Sequence, residues 1–159
     1  MERLADPYRD LDVIDSRAPR FNQATIGSLS VLAVSMGWWW LLAILAAQLW
    51  IGLSVGRRFC VACLVYFEFV QPRFGEGQLE DSRPPRFANL VGAVFLSAAA
   101  AFYGSGFRIA GAVLGGLVAA LALLAAATGF CTGCEVYKLG CRLRGQPFVS
   151  CPVPPRPAG

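Results

Sequence analysis

Phe59-Cys60-Val61-Ala62-Cys63-Leu64-Val65-Tyr66 and Phe130-Cys131-Thr132-Gly133-Cys134-Glu135-Val136-Tyr137 share one pattern, Phe-Cys-x-x-Cys-x-x-Tyr. Each copy closes a long apolar stretch, Ile26–Val55 in the first case and Leu90–Phe130 in the second. Ahead of each stretch stands a polar signature, Asp15-Ser16-Arg17-Ala18-Pro19-Arg20-Phe21 and Asp81-Ser82-Arg83-Pro84-Pro85-Arg86-Phe87, identical at six of seven positions. Two motifs recurring in the same order mark a tandem duplication, with units at about 15–70 and 81–141.

The apolar stretch of each unit is too long for one crossing, since about 20 residues span about 30 Å of hydrocarbon. Each must fold back. In the second unit the break is Tyr103-Gly104-Ser105-Gly106-Phe107-Arg108, a Gly-rich turn. In the first it falls near Gly37 and Trp38-Trp39-Trp40, because Trp favours the membrane–water interface. The reading is an all-α membrane protein of four transmembrane helices, arranged as two tandem, parallel helical hairpins. The helices are expected at about Phe21–Met36, Trp39–Arg58, Phe87–Phe102 and Arg108–Phe130. A single long tilted helix is the rival for the first unit. Pro19 and Pro85 suit helix starts, where the missing N–H costs little. Arg20 and Arg86 can snorkel to the interface. Gly111 and Gly115, continued by Ala112, Gly116 and Ala120, form a small-residue stripe for close helix approach. Gln48 is expected to bond a neighbouring helix.

Composition agrees. Of 159 residues, 56% are hydrophobic and 15% charged, against about 25% charged in a soluble domain. Residues 1–14 form a polar N-terminal arm and 15–145 the four-helix membrane domain. The Pro-rich segment 146–159 reads as an extended or disordered tail. Residues 1–22 lack the short basic start of a secretory signal, so none is expected. The net charge of +4 is read as orientation, not as a nucleic-acid surface. With hairpin units, Arg3, Arg9, Arg17, Arg20, Arg57, Arg58, Arg73, Arg83, Arg86, Lys138, Arg142, Arg144 and Arg156 share one side, and only Arg108 lies opposite. The positive-inside rule then gives a multi-pass protein of the cell inner (plasma) membrane with both termini cytoplasmic.

The chain has six Cys and no His. That excludes Ser-His and Cys-His catalysis and imidazole metal ligation. Cytoplasmic thiols are normally kept reduced, so Cys60, Cys63, Cys131 and Cys134 read as two working dithiols. Cys60 and Cys131 would attack, and Cys63 and Cys134 would resolve. Arg57 and Arg58, with Arg17, Arg20, Arg83 and Arg86 at the helix starts, supply positive charge that favours thiolates. Tyr66 and Tyr137 accompany the pairs, and Cys141 is a further thiol partner. The chemistry expected is thiol–disulfide exchange or sulfur transfer. An alternative gathers the same four Cys around one zinc or iron–sulfur centre joining the units. A small oligomeric transporter is a lesser alternative, disfavoured because no charge lies inside the spans. Enzymatic activity is left open.

The duplicated Cys motif with the Asp-Ser-Arg-x-Pro-Arg-Phe signature resembles the bacterial integral membrane proteins grouped as domain of unknown function 4395. The resemblance covers about Asp12 to Arg144 and is most specific over Val13–Asn22, Arg58–Phe67 and Cys131–Arg142. It carries no established activity. It implies thioredoxin-like or rhodanese-like soluble proteins as partners; the bilayer and a second copy of the chain are the partners expected from the apolar helices themselves. Cys151, in the tail, lies outside it.

Overall fold

The computed structural model describes residues 6–145; the N-terminal end of the arm and the Pro-rich tail with Cys151 lie outside the described residues. The chain is mostly helical. In order it forms β1 (Val13–Asp15), α1 (Arg17–Met36), α2 (Trp39–Ser54), a 3-10 turn (Arg57–Phe59), α3 (Val61–Val65), a π-helical turn (Tyr66–Val70), α4 (Gln71–Phe74), β2 (Leu79–Asp81), α5 (Arg83–Gly104), α6 (Arg108–Thr128) and α7 (Thr132–Leu143). Two helices, α5 and α6, are long and apolar enough to cross a membrane.

Both helix breaks use the same device. Gly37 takes a left-handed φ of 70°, its N–H bonding to Val34 O and the Trp38 N–H to Ala33 O. Gly106, at φ 90°, repeats it: its N–H bonds to Tyr103 O and that of Phe107 to Phe102 O. This is the Schellman ending, which needs a residue without Cβ. The long single helix in the first unit is therefore not formed. The helices differ from expectation at their ends. Helices α1 and α5 start at the Arg after the Ser of each signature, so Pro19, Pro84 and Pro85 lie within first turns, where no donor is lost. Helix α2 stops at Ser54, because Gly56 (φ 115°) and the following 3-10 turn redirect the chain.

The two units interleave. Helix α1 packs most extensively on α6, and α2 on α5, more than α1 does on its own hairpin partner α2. Since α1 corresponds to α5 and α2 to α6, each unit lends its first helix to the other's second. Close approach is made by small residues. A Cβ on Gly27 would lie 3.1 Å from the Leu123 backbone N, and one on Gly115 2.9 Å from Val34 Cγ2. Gly111 sits against Ala99 and Tyr103, whereas Gly116 faces open space. The core between the pairs holds Ile26, Leu42, Leu45, Leu49 and Leu96 with Ala33, Ala93 and Ala99.

A short antiparallel ribbon marks the same symmetry. Val13 pairs with Asp81, Ile14 with Glu80 and Asp15 with Leu79. These are equivalent positions of the two units, so an approximate two-fold axis passes through Ile14 and Glu80. Arg57 ties the N-terminal arm beneath the ribbon: Nη1 donates to Pro7 O, Asp10 O and Val13 O, and Nη2 to Leu11 O.

The helix contacts separate the glycines. Gly111→Ala places a methyl within 2.6 Å of Tyr103 Cδ2 and is expected to destabilise by about 1–3 kcal/mol. Gly116→Ala meets nothing within 4 Å and is expected to stabilise by up to about 1 kcal/mol through helix propensity. Unfolding in mild detergent measures both.

Candidate dithiol sites

Each Cys-x-x-Cys begins a helical segment, and the first Cys is its cap. Cys60 (φ −83°, ψ 108°) and Cys131 (φ −94°, ψ 106°) are both extended, with the side chain turned back over the next turn. Cys60 Sγ accepts the Cys63 N–H at 3.3 Å, and Cys131 Sγ accepts that of Cys134 at 3.4 Å. A sulfur thus stands where Ser or Asp usually caps a helix. The second thiol of each pair also donates to the first. That donation, with the backbone N–H, outweighs burial and holds Cys60 down to about 7 and Cys131 down to about 6. The same contact, together with burial, pushes Cys63 and Cys134 up. Amide side chains complete both caps. Gln23 Nε2 donates to Cys131 Sγ at 3.3 Å, and Gln48 reaches Cys60. All five described cysteines are free thiols.

The signatures position these caps across the unit boundary. Arg20 lies against Gly129 at the end of α6, where a Cβ would collide with its guanidinium. Arg86 Nη2 reaches Leu53 O in the last turn of α2 at 3.5 Å. Both arginines therefore sit at the carbonyl end of the helix that leads into the other unit's thiols, a favourable place for a cation. Arg57 is spent on the arm's carbonyls, although its charge also acts on Cys63. Arg58 lies 5.6 Å from the Tyr8 ring centroid. Arg17 reaches Phe74 O, and Arg83 pairs with Asp81 at 3.2 Å.

Tyr66 and Tyr137 pack at a tilt against the Phe of their own unit's signature, Phe21 and Phe87, with ring planes at 46° and 45°. Their hydroxyls then diverge. Tyr66 donates to Asp15 Oδ2 at 2.9 Å, and that buried carboxylate also accepts from Gln71 Nε2, the Gly77 N–H and the Arg17 N–H. The π-helical turn makes this possible, since its i to i+5 bond from Gln71 N–H to Tyr66 O turns Tyr66, Phe67 and Gln71 inward together. Tyr137 instead pairs with Cys141. Cys141 is two turns beyond Cys134 on α7, about 10 Å along the axis, so it is not placed to exchange with Cys131 or Cys134 as expected.

The two pairs open into different cavities. Cys60 and Cys63 border a smaller, largely apolar one of about 90 Å³ whose lining also includes Arg57, Arg86, Asn22 and Gln48. Cys131 borders an apolar cleft of about 250 Å³. Among the described residues no three Cys, Asp or Glu side chains are grouped to hold a metal ion. The arrangement does not supply the four-thiolate tetrahedron of a shared zinc or iron–sulfur centre.

The fold and these caps define a mostly helical protein with two apolar helices of membrane-spanning length and duplicated dithiols. The family model described as Domain of unknown function (DUF4395) matches residues 14–142, and the chain belongs to that family. No curated protein and no solved structure matches it.

Gln23, Asn22 and Asn89 went unnoticed in the sequence, although the first two directly follow the repeated signature. Two measurements test the site. Alkylation of Cys131 should rise through a midpoint of about 6 and that of Cys60 through about 7, slow below and level above, because the thiolate is the reactive form. Cys134→Ala removes the thiol donor and should move the Cys131 midpoint upward; a wild-type midpoint near the usual ~8.5 would contradict the cap. Asp15→Asn puts an amide among four donors and should cost about 1–3 kcal/mol in thermal unfolding.

Proposed function

We propose that the protein is a multi-pass membrane dithiol carrier that takes part in thiol–disulfide exchange or sulfur transfer. The carrying observation is the duplicated cap, in which one sulfur of each pair is held as a ready nucleophile and the other as its proton-bearing neighbour. That division of labour is what exchange requires: a thiolate attacks, and an adjacent thiol resolves the mixed species.

The membrane placement rests on surface chemistry. Ile44, Ile109 and Val113 are exposed along the helices, as are Trp38, Trp39 and Trp40 at the first turn. Soluble monomers rarely expose contiguous apolar patches beyond a few hundred Å². In this reading α1, α2, α5 and α6 all cross, as two tandem hairpins, and the Trp cluster anchors one interface. Thirteen of the fourteen Lys and Arg then fall on the side of the dithiols and both termini, the cytoplasmic side of an inner (plasma) membrane. Helix α7 supports it, with Val136, Leu139 and Leu143 exposed on a helix that also bears Lys138 and Arg142, a composition suited to lying in the headgroup layer. The partners of this reading are the bilayer, thioredoxin-like or rhodanese-like soluble proteins, and a second copy of the chain. Nucleic acid is not among them.

Trapping in cells tests the proposal. Cys63→Ser and Cys134→Ser remove the resolving thiols and should accumulate a mixed disulfide or persulfide on Cys60 or Cys131, visible as a reducible mass shift. Thiols that stay free in both variants under oxidising and sulfur-rich growth would sink it.

A further inference from the structure

The apolar cleft beside Cys131 has a shape and chemistry that the dithiol reading does not use. It lies between α5 and α6, along the stretches that include Phe87 to Phe95 and Leu117 to Ala125, and ends at Cys131 and Gly133. Its outer wall includes Leu117 and Leu121, which are 45% and 39% exposed on the surface of α6. The cleft therefore opens sideways, through the two helices of membrane-spanning length, toward whatever surrounds them. Its polar groups, Gln23, Asn89 and Thr132, come from the ends of α1, α5 and α7 that lie beside the thiol. Among the described residues, no charged side chain lines it.

Those features select the occupant. A phospholipid would bring a phosphate with no cation to meet it. A water-soluble disulfide would not enter from the apolar side. A neutral ring with hydrogen-bond acceptors at one end and an aliphatic tail at the other matches both the polar end and the apolar walls. An apolar cavity of about 150 Å³ accepts benzene, so about 250 Å³ takes a substituted ring and the start of its tail. We infer that this cleft is a binding site for a lipid-soluble quinone, which exchanges two electrons with the Cys131–Cys134 pair.

The step balances. The Cys131 thiolate attacks the quinone ring, and the electron pair passes to a ring oxygen. The Cys134 sulfur then attacks Cys131 Sγ, forming the S–S bond as the carbon–sulfur bond breaks. The Cys134 proton and one proton from solvent, replacing the one Cys131 lost on ionising, end on the hydroquinone, so Cys131 and Cys134 are oxidised by two electrons and the quinone is reduced by two. Gln23 is a positioning residue, its amide orienting Cys131 Sγ.

This inference rests on the dithiol reading, and the test separates the two. The full chain, reduced and kept anaerobic in mild detergent, is mixed with decylubiquinone or with the soluble disulfide DTNB. Expected are loss of quinone absorbance and simultaneous loss of the Cys131 and Cys134 thiols, one quinone per pair. Ala122→Phe and Gly92→Leu, two independent ways of filling the cleft, should each lower the quinone rate relative to the DTNB rate by about tenfold or more. Oxidation to a disulfide by DTNB but not by the quinone would overturn the quinone site and leave the dithiol reading standing. Failure of both oxidants to form the disulfide would overturn both. Wild-type quinone rates in both cleft-filled variants would also overturn the site.

Discussion

Everything in this protein depends on helices that pack across the boundary between its two units. A helical pair with apolar residues all round leaves most of that surface uncovered when it folds alone. Here each unit's first helix is laid on the other's second, α1 on α6 and α5 on α2, and glycines let the backbones close. The exchange fixes the chemistry as well. Arg20 and Arg86 cross with their helices and sit at the ends of α6 and α2, the points from which the chain turns into each Cys-x-x-Cys. Gln23 crosses in the same way to reach Cys131. The Cys131 site thus draws its sulfurs from one unit and part of its hydrogen bonding from the other, whereas the amide at Cys60, Gln48, comes from its own unit.

Much of this was legible in the sequence where the signal is local. The repeat, the two breaks and the Cys pairs are written in neighbouring residues. Gly37 and Gly106 were readable because only a few chain endings demand a residue without Cβ. Helix α7 and the helical segment after Cys60 were not, because their cap is a cysteine and cysteine is not counted among N-cap residues. The second role of Arg57 was hidden for another reason: besides acting on Cys63, it bonds backbone carbonyls of Pro7, Asp10, Leu11 and Val13, which have no sequence identity to recognise. The interleaving of α1 with α6 was also invisible, since an apolar face does not name its partner.

The two copies have diverged around a conserved frame. Where the first unit has Asn22 the second has Ala88, and Gly133 packs on that Ala88 where Ala62 holds the matching place. Tyr66 is locked by a buried Asp15 with four donors, while Tyr137 turns to Cys141. Cys60 is 5% exposed beside a small cavity whose lining includes two arginines, and Cys131 is half-buried beside a larger one lined by no charged side chain among the described residues. One dithiol is sealed among amides and arginines, and the other is open along the helices. Identical capping geometry therefore serves two different surroundings, which gives a single chain two thiol pairs of unequal access.

The ribbon at Ile14 and Glu80 is an antiparallel pairing of equivalent strands, the arrangement that two identical subunits form around a shared dyad. Here one chain supplies both partners of that pairing, so the two halves need not stay identical, and their thiol surroundings differ.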